Sequence, residues 1–457
     1  MVMVPGETFV RETRRPYITY LLIAINTIIY LATSYNNFFL STSQRYVWRY
    51  SFIPVYLDSA EGWIRIFTSM FLHADILHIF FNMYFLYVFG KVVESYLGSG
   101  KYLIMYLFSG FIAAMVHSAM SFFLGVENLG IPALGASGAI SGVLGSFLIM
   151  FPGTRLSLCF FFFIIPLCGV VSSSFFIIFW FALQVIYGYL QLGGVAFFAH
   201  VGGFLAGILA TVIIARDLQE KYLFEGFSQW LYQTFSISIP WLTPRPRGLS
   251  GLARVVLVLL ILLVVIGEAI SGYSAAVSGY NIYYLNFRAN LTQSSGAYSS
   301  EAVVILLNKQ NTSSYLAAPI IDDVIRVLFN RLFYAGYIVN TSLSGYSGEI
   351  FFNGYIRIPD LRAPPVQLIL SMNASYNSEG VLIKGSGNAV TDLLTCSGGV
   401  CEIASGSKWV YNSFSINGSG PVSINDIIYL PILLSIVVSL ATLLILLSRI
   451  DREVSLT

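Results

Sequence analysis

Long apolar runs separated by short polar breaks fill the first half of the chain, and a polar stretch of domain length precedes one last apolar run. A helix crossing a bilayer needs about 20 largely apolar residues. By that measure, spans are predicted near 18–34, 66–90, 102–123, 137–151, 159–183, 196–215, 255–271 and 427–448. The fourth is short and begins at a glycine-rich turn. Short or broken spans are tolerated inside a bundle where backbone lines a protected cavity, so function is sought there first. Within the polar stretch 272–425, apolar residues recur at helical spacing over 319–335 (Ile321, Val324, Ile325, Leu328, Leu332). Segments 349–358, 366–372 and 408–414 read as strands, which predicts an α+β domain.

Composition narrows the class. Of 457 residues, 56% are hydrophobic and 10% charged, against about 25% charged in soluble domains. So few charges cannot clothe so large an apolar core in water, and the lipid bilayer is its solvent. The net charge of +2, without a dense basic patch, gives no sign of a nucleic-acid partner. The first apolar segment is long enough to serve as an uncleaved anchor.

Lysine and arginine placement orients the spans. Arg11, Arg14 and Arg15 precede the first span, and Lys91, Lys101, Arg155, Arg216 and Lys221 fall on the same side as crossings alternate. Arg45, Arg49 and Arg65 run against the pattern. The expected organisation is an all-α polytopic membrane protein with a six-span core at 1–216 and a cytoplasmic connector at 217–254 containing Arg245, Arg247 and Arg254. A seventh span at 255–271, an extracytoplasmic domain at 272–425, an eighth span at 426–448 and a cytoplasmic tail at 449–457 with Arg449 and Arg452 complete it. The cell membrane is the expected location, with both termini cytoplasmic. Sequons at Asn290, Asn311, Asn340, Asn373 and Asn417 agree with an outside position for the domain. No partner is assigned to it.

The cysteines divide by setting. Cys159 and Cys168 lie in an apolar run and read as small buried hydrophobes. Cys396 and Cys401 flank Ser397-Gly398-Gly399-Val400, where a hairpin disulfide can form in an oxidising compartment.

Polar groups at membrane depth are costly, so each is a functional candidate. Ser137, in Gly135-Ala136-Ser137-Gly138, opens the short fourth span, where free amide N–H groups and the positive helix end would favour an oxyanion. The same four residues would also serve as a helix-packing or capping motif. His200, in Ala199-His200-Val201-Gly202-Gly203, shares a helix face with Gly203 and Gly207, and Gly138 with Gly142 offers a matching small surface on the fourth span. Close approach would bring the imidazole to the serine as general base. A structural hydrogen bond is the plain alternative. His78 and Asn82 stand one turn apart on one helix face, suited to an oxyanion or to interhelical hydrogen bonding. His73 points elsewhere and is expected near the water interface, while Asp75 falls in a loop-like dip. With no other buried carboxylate in view, a Ser-His dyad is favoured over a triad.

Taken together, these residues resemble the rhomboid family of intramembrane serine proteases over about 63–216. The resemblance rests on Arg65, the stretch from His73 to Asn82, Gly135-Ala136-Ser137-Gly138 and Ala199-His200-Val201-Gly202-Gly203, in the second, fourth and sixth spans. It implies a six-helix core with Ser137 as nucleophile and His200 as base. His78, Asn82 and the Ser137 backbone amide would form the oxyanion hole, and Gly203 and Gly207 match the family's helix packing. The implied reaction is hydrolysis of peptide bonds in or near transmembrane segments of protein substrates, without metal or cofactor. The aromatic fifth span (Phe160 to Phe163, Phe175, Phe176, Trp180) is where the family is thought to admit substrate, although the same rings would serve as lipid-facing filler. Two departures stand out: Trp63-Ile64-Arg65 separates a usually adjacent Trp-Arg pair, and Ser141 replaces a tyrosine found in some members. A non-catalytic scaffold binding transmembrane helices and a transporter are the rival classes. The resemblance ends at the sixth span.

Overall fold

The computed structural model describes residues 3–8, 12–162, 165–192, 194–215, 248–293, 296–309, 315–317, 322–358, 363–397, 400–450 and 454–456. The connector residues Arg216, Lys221, Arg245 and Arg247, the sequon at Asn311, and Arg452 fall outside them. The chain divides into two units, Met1–Val277 with Asn425–Thr457, and Ser278–Ile424.

Among the described residues of the first unit, seven helical segments are long and apolar enough to cross a membrane. They are Tyr17–Asn37, Ile76–Leu97, Ser99–Leu124, Ser173–Leu190, Phe197–Ile214, Gly251–Ser278 and Ile424–Ser448. The protein is thus a multi-pass membrane protein. The helices used below are α1 (Tyr17–Ser34), α2 (Gln44–Tyr50), α3 (Ala60–Ser69), α4 (Ile76–Phe85), α5 (Lys91–Leu97), α6 (Ser99–Leu124), α7 (Ser137–Met150), α8 (Ser173–Leu190), α9 (Phe197–Ile214) and α10 (Gly251–Ser278). A π-helical turn at Leu86–Gly90 joins α4 to α5.

At 14 residues, α7 reaches only about 21 Å, short of a hydrocarbon core of about 30 Å. It survives because protein surrounds it: every residue from Gly138 to Met150 is buried. Its last carbonyl, on Met150, accepts from the Leu456 backbone N–H at 2.7 Å, so the chain's tail closes the end of α7 opposite Ser137. The start of α1 lacks a side-chain cap of its own. The buried Glu94 carboxylate supplies one, accepting from Ile18 N at 2.9 Å and Thr19 N at 2.7 Å.

Two predicted spans need correction. The run 66–90 is broken: α3 ends at Ser69, and Asp75 starts α4 afresh by accepting from the His78 N–H at 2.9 Å. The run 159–183 is helical only from Ser173; before it, strands β2 (Arg155–Phe162) and β3 (Ile165–Ser172) form an antiparallel hairpin. Pro166 lacks the N–H that a helix interior needs, and the flanking aromatic and β-branched residues fit a strand. Cys159 and Cys168 are therefore cross-strand partners in backbone register, not helix residues. Strand β1 (Met3–Thr8) adds to β2 as a third strand, so the membrane unit is not all-α.

The second unit is β-rich. Strands β4 (Tyr280–Gln293), β5 (Gly296–Lys309), β6 (Tyr315–Ala317), β7 (Ser347–Ile356), β8 (Val366–Tyr376), β9 (Leu382–Ser397) and β10 (Val400–Ser423) form one antiparallel sheet in the order β6-β5-β4-β10-β9-β8-β7. One helix, α11 (Asp323–Tyr334), is capped by Asp322 through the Ile325 N–H. It buries Ile325, Leu328, Phe329 and Leu332 in a core with Leu285, Phe287 and Tyr411 of the sheet. Register sets Cys401 directly opposite Cys396, and Cys401 is disulfide-bonded. The remaining helix, α12 (Ile424–Ser448), returns to the membrane unit.

Candidate active site

The approach of α7 to α9 follows from absent side chains. A Cβ on Gly203 would lie 1.9 Å from the Gly138 carbonyl oxygen, and one on Gly207 2.0 Å from that of Gly142. A Cβ on Gly142 would in turn meet Ser109 Oγ of α6 at 2.1 Å. Backbones can come this close only where glycine removes the intervening atoms. The His200 ring, near the start of α9, thereby reaches the start of α7: His200 Nε2 lies 2.8 Å from Ser137 Oγ.

Gly135 shapes the turn into α7. Its φ of +123° suits glycine alone, and a Cβ there would fall 2.8 Å from His78 Nε2. The imidazole of His78 therefore sits against this turn, which also holds Ser137. Its Nδ1 accepts from the Ala74 N–H at 3.2 Å. A neutral ring that accepts at Nδ1 carries its proton on Nε2, so a donor faces the Gly135 turn. Asn82, one turn along and buried, donates one Nδ2 hydrogen to the His78 carbonyl at 2.8 Å, and its second N–H has no protein partner among the described residues. Asp75 caps α4 rather than meeting a catalytic imidazole.

His73, expected near the water interface, lies in the break between α3 and α4. It is fully buried, with its ring edge-on to His78 at 5.1 Å between centroids. Arg65 ties down the outer loop, donating to the Trp48 carbonyl at the end of α2 at 2.9 Å and lying over the Tyr56 ring at 4.8 Å. Trp63 stacks instead on Phe111, so the separated Trp-Arg pair serves two contacts. Ser141 bonds back to the Ser137 carbonyl at 2.7 Å within its own helix.

Sequence reasoning missed two residues. Gln184, buried on α8, has Oε1 2.8 Å from His200 Nδ1. His117, on α6, lines a cavity of about 40 Å³ together with Ser137, Gly135, Gly138 and Ser69, and its Nε2 has no partner among the described residues. Both stood out in principle as polar groups inside apolar spans.

A polytopic helical bundle with a hydroxyl and an imidazole paired inside it defines a narrow class of membrane protein. Residues 60–217 match the rhomboid domain family. It is similar to Rhomboid protease GluP of Bacillus subtilis (strain 168), at 31% identity over 142 residues, covering 31% of this chain and 26% of that protein. Rhomboid protein 1, mitochondrial, of Saccharomyces cerevisiae is 28% identical over 177 residues, 38% of this chain and 49% of the relative. Putative rhomboid protease YdcA of B. subtilis is 31% identical over 145 residues, 32% and 66% respectively. The chain thus spans from about a quarter to two thirds of the length of these relatives.

Proposed function

We propose that the protein is an intramembrane serine endopeptidase acting on peptide bonds in or near transmembrane segments of other membrane proteins. The observation that carries this reading is the 2.8 Å approach of His200 Nε2 to Ser137 Oγ at the start of a buried helix. A hydroxyl is a weak nucleophile without an adjacent base, and the imidazole supplies one. His200 takes the Ser137 proton as Oγ attacks the scissile carbonyl. The developing oxyanion is met by the Ser137 backbone N–H, His78 Nε2–H and the free Asn82 N–H, aided by the positive end of α7. His200 then protonates the leaving amine, and water hydrolyses the acyl-enzyme by the reverse proton transfer.

Two further features support an outer position for the site and for residues 272–425, with both termini in the cytoplasm of a cell-membrane protein. The tail packs at the end of α7 opposite Ser137, and Cys401 is disulfide-bonded, which suits an oxidising compartment. The two added spans follow a six-span core in this reading.

The test is cleavage of a transmembrane test substrate by purified protein in liposomes. Wild type cleaves, and His200→Ala loses nearly all turnover although Ser137 remains. Undiminished cleavage by well-folded His200→Ala would remove the base from the mechanism.

A further inference from the structure

Gln184 is the buried amide in a helix otherwise rich in phenylalanine and isoleucine. A buried polar side chain needs hydrogen-bond partners, because an unpaired one is costly there. It has two. Its Nε2 donates to the Trp180 carbonyl at 3.4 Å, and its Oε1 lies 2.8 Å from His200 Nδ1. The Trp180 carbonyl can only accept, so the amide's nitrogen belongs on that side and its oxygen faces the imidazole. An oxygen facing Nδ1 requires a proton on Nδ1. A neutral imidazole has one N–H, so Nε2 is left with a bare lone pair pointing at Ser137 Oγ.

We propose that Gln184 is a positioning residue for the reaction, an uncharged third member of the site that fixes His200 in the tautomer able to accept the Ser137 proton. This rests on the protease reading above. The buried carboxylate absent from the sequence pattern is replaced by an amide that orients the ring without placing a lasting charge among lipid-facing helices. The imidazolium that forms as Ser137 attacks keeps its Nδ1–H bonded to the amide dipole throughout. Because Gln184 is on α8 and His200 on α9, the tautomer holds only while α8 is docked. Trp180 on α8, with its ring 6.1 Å from the imidazole, packs from the same helix. Docking of α8 is thereby a condition of catalysis and not only of enclosure.

The test compares Gln184→Met, which keeps length but removes the acceptor, with Gln184→Glu, which keeps an oxygen at Nδ1. Full-length protein in liposomes is assayed for kcat and KM on the test substrate and for fluorophosphonate labelling rate. The Met variant is expected to lose about tenfold or more in kcat and labelling rate with KM little changed, as suits loss of one buried hydrogen bond to the base. The Glu variant is expected to stay within a few-fold of wild type. A folded Met variant with wild-type kcat would overturn the proposal, as would a Glu variant no better than Met. Nitrogen-15 NMR of histidine-labelled wild type, assigned by difference with His200→Ala, reads the tautomer without any change at Gln184. Nδ1 protonated supports the proposal, and Nε2 protonated overturns it. Absence of labelling in wild type would instead reject the protease reading, and the NMR result would still decide the Gln184–His200 bond.

Discussion

Two helix interfaces in the membrane unit hold by opposite means. Between α7 and α9, contact is made by removal: glycines at 138, 142, 203 and 207 let carbonyl oxygens lie where side chains would be. Between α10 and α12, contact is made by polar addition. Buried Glu268 of α10 accepts from the hydroxyls of Ser435 and, at 3.0 Å, Ser439 of α12, and Arg254 donates to the Leu446 carbonyl. The pair is also sewn to the rhomboid core by Ser271 on Ala119 O at 2.6 Å and Thr442 on Leu205 O at 3.2 Å. Apolar attraction between helices is weak in lipid, and these are the two remaining ways to join them. Only the glycine interface sets backbone to backbone tightly enough to aim a short hydroxyl at a ring. The polar interface fastens helices yet, among the described residues, brings no hydroxyl and imidazole together.

The largest effect should come from filling the glycine seam. Gly207→Leu places atoms where the Gly142 backbone stands, a clash that no side-chain rotation relieves and that exceeds the roughly 1–3 kcal/mol of ordinary core overpacking. Failure to recover folded, monodisperse protein is expected. Recovery with wild-type melting temperature and labelling would show that the seam is not what joins the pair. Next comes Asn82→Ala, which leaves the seam intact and removes one proposed oxyanion donor. A fall of about 10²–10³ in kcat, near 2.7–4 kcal/mol, is expected with KM little altered. A full-rate variant would take Asn82 out of the mechanism.

Smaller still is the polar interface. Interhelical hydrogen bonds in membranes are worth about 0.6–2 kcal/mol, so Glu268→Ala should lower the melting temperature modestly and leave specific activity within about twofold. A thermal shift assay with parallel turnover measures both. Loss of activity at unchanged stability would mean that the added spans take part in the chemistry.

What could be read from the chain divides along the same line. Ser137, His200 and their glycines were legible because small and ionisable residues are outliers in an apolar background. Nothing comparable marked β2 and β3, since an unbroken apolar run looks alike as strand or helix, and only Pro166 hinted at the hairpin. Asp75, read in a loop-like dip, is where the second predicted span breaks, because it caps α4 from outside the helix. Gln184 was overlooked because the search for a third catalytic member was confined to carboxylates. Pairing that depends on three-dimensional approach, as of α8 with α9, leaves no local spacing to read. In the second unit, β8 alternates buried and less buried positions along its length, the period that made it readable as a strand.

The pairing of Ser137 with His200 is tested most directly by fluorophosphonate labelling of purified protein in detergent, with each variant first shown to melt as wild type does. Wild type should label, Ser137→Ala should not, and Ser141→Ala, one turn along the same helix, should label normally. His200→Ala should label barely at all, and the double variant of Ser137 and His200 should be little worse than either alone, as befits residues acting as one unit. Well-folded Ser137→Ala protein that still labels, or still cleaves, would contradict the assignment of the nucleophile to this site.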